Sequence, residues 1–227
     1  MTLATRADGP ELMDADDLDA RVYADVVRDL ARVNVVTLAI RPTLAFLARA
    51  SRNKDRLRLL DVGFGDGDAL RAIERWADRR GLAVDLVGVD LNPRSERAAR
   101  ARTPAGSRIR WVTGDYAEMG GGWDAIVSSL VAHHMTEGEL VAFLRFMDAH
   151  ARCWLVNDLH RHQVAHRGFP LLATIARWHP IVRHDGTLSI ARAFRPAEWP
   201  PLLGEAGVDG ARVFRAFPFR LCVERLR

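Results

Sequence analysis

Asp61 lies two residues ahead of the first of three glycines at alternate positions, Gly63, Gly65 and Gly67. Residues 57–62 form a short apolar run broken by Arg58, which suits a largely buried strand. Residues 69–80 place Leu70, Ile73, Trp76 and Ala77 on one helical face. Strand, glycine turn and helix are the parts of a mononucleotide-binding unit. The G-x-G-x-G spacing differs from the G-x-G-x-x-G that seats a pyrophosphate on a helix N-terminus. A carboxylate at position 61 would also repel a diphosphate, and it suits a ligand with a cationic end. Asp90 ends the next predicted strand, 84–90, where nucleotide-binding units place an acceptor for ribose hydroxyls. Its alternative role is to cap a helix that starts near Pro93. Asp115 ends a third strand over 108–113, followed by Tyr116. A fourth strand, 123–128, leads into Val131-Ala132-His133-His134-Met135, and a fifth, 151–157, into Asp158-Leu159-His160.

This series of turn, acids and paired histidines, spread over residues 57–158, resembles the class I S-adenosylmethionine (SAM) dependent methyltransferases. SAM carries an ammonium and a sulfonium, so an acidic turn attracts what a phosphate loop would reject. The resemblance implies an α/β, Rossmann-like fold. Its seven-stranded, mostly parallel sheet would have an antiparallel last strand, helices on both faces and an N-terminal helical cap. It implies SAM as cofactor and S-adenosylhomocysteine (SAH) as product. Asp61, Gly63, Phe64, Gly65 and Gly67 would form the first motif, and Asp90 with Leu91 would meet the ribose. Gly114, Asp115 and Tyr116 would lie at the adenine, and His133 close to the cofactor. The segment 131–135 is similar to the ubiquinone and menaquinone methyltransferase branch, in which a paired histidine is common.

Methyl transfer from a sulfonium is a direct displacement. The protein must align acceptor and methyl carbon and, for a hydroxyl acceptor, remove a proton. His133, His134 and His160 all fall at the ends of strands four and five, and histidine titrates near neutrality. His160 is the expected base, with Asp158 orienting its ring or sharing its proton, and His134 is the second candidate. No metal is expected. Catechol-type enzymes need an acid at the end of strand four and an Asp-Asn pair after strand five, to supply oxygen ligands. Here those places hold Ser128-Ser129 and the reversed Asn157-Asp158. No N-P-P-[YFW] signature of amino-nitrogen methylation occurs.

The elements that must position these residues divide into an N-terminal arm with capping helices, 1–52, and a core, 53–227. Residues 1–13 are expected to be a loose arm, followed by helices over 14–32 and 33–52, the second broken or kinked at Pro42. Core helices are expected over 67–80, 94–102 and 137–149, the last opened by a Thr136/Glu139 capping box. A lid insertion covers about 159–195, mixing Phe169, Leu171, Leu172, Ile175 and Trp178 with five histidines. A last helix, 196–206, and strands over 210–217 and 219–225 close the chain.

At 227 residues there is room for one α/β domain with additions. No apolar stretch approaches a membrane span or a secretory leader, so a cytoplasmic protein is expected, with a homodimer left open. Cys153 and Cys222 have no metal-binding spacing and read as buried free thiols. The net charge is +4, yet the arginines are interleaved with acids and no basic block occurs, so no nucleic-acid partner is expected. An apolar, histidine-bearing lid fits a small aromatic or lipid-like acceptor. The favoured reaction is O-methylation of a phenolic hydroxyl in a polyketide or quinone-type compound. C-methylation of a quinone-type ring and a non-catalytic SAM-binding partner protein are the alternatives. An NAD-dependent dehydrogenase is disfavoured by the glycine spacing.

Overall fold

The computed structural model describes residues 3–15 and 17–227. Seven strands form one sheet: β1 (Arg56–Val62), β2 (Ala83–Asp90), β3 (Arg110–Thr113), β4 (Trp123–Ser129), β5 (Ala151–Leu159), β6 (Arg212–Ala216) and β7 (Arg220–Arg225). Their order is β3-β2-β1-β4-β5-β7-β6, with β7 antiparallel to both neighbours and β1 to β5 parallel. This is the sheet expected of a class I methyltransferase, reversed last strand included.

The strands buried on both faces are near-continuous apolar runs, as parallel strands covered by helices must be. One face carries α5 (Glu137–His150) and α8 (Trp199–Ala206) over Leu60, Ile126, Trp154 and Val223. The other carries α2 (Arg41–Ala50) and α3 (Asp68–Asp78) over Leu57, Leu59, Val127 and Leu155. The edge helix α4 (Pro93–Arg102) begins where the Asn92 side chain accepts from Arg94 N at 2.9 Å, with Pro93 at its first position. The Thr136/Glu139 capping box opens α5 as expected. A third cluster, Val26, Ala173, Trp178 and Val182, joins α1 (Ala20–Val36) to the insertion helices α6 (Gln163–Ile175) and α7 (Pro180–Arg192). Cys153 and Cys222 are buried free thiols. No single helix among the described residues is long and apolar enough to cross a membrane.

Two expectations change. The early helices are Ala20–Val36 and Arg41–Ala50, and Pro42 sits in the first turn of the second, so the break comes before the proline. A proline at that position loses no helical hydrogen bond, because the first N–H groups have no partner inside the helix. The arm is also far from loose over residues 3–15. Ala7 N donates to Ala191 O at 3.1 Å, Leu12 and Met13 N donate to Asp185 at 2.9 Å each, and Leu3 and Glu11 are buried. These partners lie nearly the whole chain away, and local sequence cannot announce such pairings.

Candidate active site

A cavity of about 1000 Å³ opens over the C-terminal ends of the parallel strands, beside the reversal of strand order between β1 and β4. Open α/β sheets bind their ligands there. The turn after β1 forms its floor. Gly63 has φ +74°, and a Cβ on it would come within 2.3 Å of Val131 Cγ2, so a side chain is excluded on both counts. Gly65 shares the left-handed conformation but has nothing within 4 Å of where a Cβ would stand, leaving its backbone open to a ligand.

Asp61 is almost fully buried in the cavity wall, and its Oδ2 has no hydrogen-bond partner among the described residues. Burial, with the nearby charges of Asp68 and Asp90, pushes its carboxyl up to about 8. An unpartnered buried acid of this kind is matched by a cationic ligand group. Asp90 accepts from Gly65 N and Asn92 N, each at 2.9 Å, which ties the glycine turn to β2. The carboxylate still has lone pairs for a second set of donors. Phe64 packs on Trp111 with ring centroids 4.8 Å apart, while Leu91, Gly114 and Tyr116 continue the wall.

Across the cavity lies a polar network. His133 Nδ1 is 2.8 Å from Asp158 Oδ1, and His133 N donates to Asp158 Oδ2 at 2.8 Å. Burial alone would raise Asp158, but His133 and the N–H groups of Leu159 and His133 outweigh it and hold the carboxyl low. Held by Asp158 at Nδ1, the His133 ring turns its Nε2 toward Glu11. His133 Nε2 and His134 Nε2 each lie 3.8 Å from Glu11 Oε1, which also accepts from Ser189 Oγ at 2.6 Å. Burial raises the Glu11 carboxyl against the opposing effects of His133 and Ser189. Burial, His133 and Arg192 hold the His134 imidazole well below its usual range, so it stays neutral. Glu11, His133 and His134 are the one trio of the described residues whose ligand atoms approach within 4.8 Å of one another. The carboxylate is already engaged by Ser189, and Arg192 Nη1 stands 3.8 Å from it, which opposes a cation there.

The structure brings Asp61, Gly63, Phe64, Gly65, Asp90, Leu91, Gly114, Tyr116, His133 and His134 to one cavity. Gly67 and Asp115 are not on its wall. Gly67 instead lies against Trp111, where a Cβ would come within 2.3 Å of the ring. Asp115 is exposed and caps a short 3-10 turn, accepting from Ala117 N at 2.9 Å. The expected Asp158–His160 pair does not form: Asp158 turns to His133, while His160 lies just past the end of β5 and donates its backbone N–H to Phe219 O at 2.9 Å. His160 lies off the cavity wall and is buried. Burial, with Arg215, His162, Arg195 and Arg161 nearby, lowers it to about 4. The residues that sequence reasoning missed are Glu11, Asp68, Asp185 and Ser189, whose roles come from contacts between the arm, α3 and α7.

Residues 59–152 match the family model described as a methyltransferase domain. No curated protein matches the chain. Among solved structures, it is similar to the Synechocystis PCC 6803 magnesium protoporphyrin IX methyltransferase with bound SAH. That match has TM-score 0.56 and 19% identity, over 95% of this chain and 90% of the other. It is similar to human N-acetylserotonin methyltransferase in complex with SAM, with TM-score 0.63 and 14% identity, over 91% of this chain and 56% of that one. A third is the plantazolicin methyltransferase BpumL with SAH, with TM-score 0.63 and 13% identity, over 94% and 91%. At these identities the likeness is one of fold.

Proposed function

We propose that this chain, which carries a class I SAM-dependent methyltransferase domain, methylates a hydroxyl on an apolar small molecule, with His133 as the base. The observation that carries the reading is His133, held at Nδ1 by the buried Asp158 and standing on the wall of the cavity that also holds the unpartnered Asp61. The residues present fit the cofactor. Asp61 is an acceptor for an ammonium, Gly65 leaves its backbone open, and Asp90 can take ribose hydroxyls. When bound, SAM supplies an electrophilic methyl group on its sulfonium.

The acceptor half of the cavity is lined by Val27, Leu30, Leu38, Phe169, Leu172 and Ile190, with Val35, Val36, Val164 and Phe219 exposed around it. Such walls bind an aromatic or alkyl group and exclude water from the reacting hydroxyl. A phenol of polyketide or quinone type meets this description. His133 takes the hydroxyl proton at Nε2. The imidazolium so formed is held by Asp158 at Nδ1, with Glu11 facing Nε2.

Two measurements test the reading. SAH should raise the unfolding temperature of the protein, and NAD should not. With SAM and 5-pentylresorcinol as a probe acceptor, mass spectrometry and NMR should find a methyl ether. Heat stabilisation by NAD alone, or a methyl group on a ring carbon, would refute the corresponding half.

Metal independence belongs to the same proposal, since Arg192 and Ser189 already occupy the surroundings of Glu11. Methyl transfer should survive exhaustive chelation, and added magnesium or zinc should not raise it. Loss of turnover on chelation, restored by a divalent cation, would instead make Glu11, His133 and His134 metal ligands.

A further inference from the structure

Arg220, the first residue of β7, is 2% exposed and lies on the cavity wall. Its side chain makes a single long contact, Nη2 to Thr37 Oγ1 at 3.4 Å. Nε and Nη1 have no hydrogen-bond partner among the described residues. The other fully buried arginine, Arg161, differs in being ion-paired to Glu198 and donating to Ala193 O at 2.8 Å. The remaining cavity-lining arginines, Arg41 and Arg75, are exposed. A guanidinium taken out of water with two donors unpaired is expensive, even with the charges of Asp158 and Asp68 acting on it, and guanidinium donors suit a carboxylate or a phosphate. Asp61, Asp68 and Asp90 line the same cavity and disfavour a dianion such as phosphate.

We propose that Arg220, which stands on the cavity wall with two donors that no described residue pairs, is the anchor for a carboxylate bound in this cavity. The inference rests on the functional reading above, which supplies two sources of that carboxylate. One is the amino-acid end of SAM, whose ammonium would meet Asp61. The other is an acid group on the acceptor. A guanidinium here would hold either ligand by a charge-assisted hydrogen bond and would reject an analogue lacking the acid.

Calorimetry on the wild type, Arg220→Met and Arg220→Lys tests this with four probes. They are SAH, 5'-methylthioadenosine (which lacks the amino-acid end), 2,4-dihydroxy-6-pentylbenzoate and 5-pentylresorcinol. If the cofactor supplies the carboxylate, Arg220→Met should weaken SAH by about tenfold or more and leave methylthioadenosine unchanged. If the acceptor supplies it, SAH should bind as before, and the wild-type preference for the benzoate over the resorcinol should vanish. Arg220→Lys should recover part of the loss in either case. Unchanged methylthioadenosine binding also shows that the variant is folded. Should Arg220→Met fail to fold, the wild type decides the cofactor case: SAH with hydrogen in place of its carboxylate should bind about tenfold or more weakly, with Arg220→Lys intermediate for SAH. Equal affinities of wild type and variant in both arms would overturn the assignment and leave Arg220 structural. Binding of neither SAH nor methylthioadenosine by the wild type would overturn the functional reading itself, and this inference with it.

Discussion

His133→Gln is expected to lower turnover by about 10² to 10⁴, the usual contribution of a positioned proton acceptor. Glutamine approximates the size of the ring and can still meet Asp158, but it offers no basic lone pair at the position of Nε2. SAH affinity should change little, because the proton is lost on the acceptor side. The variant's rate should also climb with pH, as a phenol that ionises unaided no longer needs the base, whereas the wild type should level off. Asp158→Asn should fall in the same direction through a different cause, since an amide cannot hold the charged ring and can favour the wrong tautomer. His160→Gln should be nearly silent, because His160 is off the cavity wall. A crippled His160→Gln beside an active His133→Gln would reverse these roles. If neither substitution slows the reaction, the acceptor enters already ionised and no histidine is its base.

Binding of SAH at neutral pH should release close to one proton, and Asp61→Asn should abolish the release. Burial holds the Asp61 carboxyl at about 8, so in the free protein it is mostly protonated at pH 7. An arriving ammonium favours the charged form, the pKa falls, and the proton leaves. Calorimetry in buffers of different ionisation enthalpy counts it. Above about pH 9 the release should fade, because Asp61 is then ionised before the ligand arrives. The folding consequence has the opposite sign. A carboxyl raised on folding contributes stability that is complete below its unfolded value of about 4 and is lost as pH rises towards 8. Asp61→Asn should therefore weaken SAH by about tenfold or more while making the free protein more heat-stable in alkali. Proton-neutral binding by the wild type would contradict the pairing with Asp61.

The sheet was legible because its signals are local. Short apolar runs, the glycine turn, the Thr136/Glu139 box and Gly207 at the end of α8 each act within a few residues. The glycine-turn wall of the cavity was legible for the same reason, since Asp61 lies in β1, Gly63 and Gly65 in the turn after it, and Asp90 at the end of β2. The polar half was not. Which histidine Asp158 would meet depended on the side of β5 it points to and on the turn after β4 that carries His133. Spacing along the chain placed His160 nearest in sequence, but the fold placed His133 against it. Glu11 carried no signal at all, because its partner Ser189 is on α7, 178 residues away.

That separation sets an order of events during synthesis. The glycine turn, β2 and the 131–135 segment leave the ribosome long before α7, whereas Glu11 emerges early and waits for Ser189 and Asp185. Contacts so distant in sequence close late, after the loop between them has paid its entropy. The glycine-turn wall of the cavity can thus assemble before the wall that the arm builds with α7, which closes only once residue 189 has appeared. A ribosome stalled between these points would hold one wall of the cavity without the other.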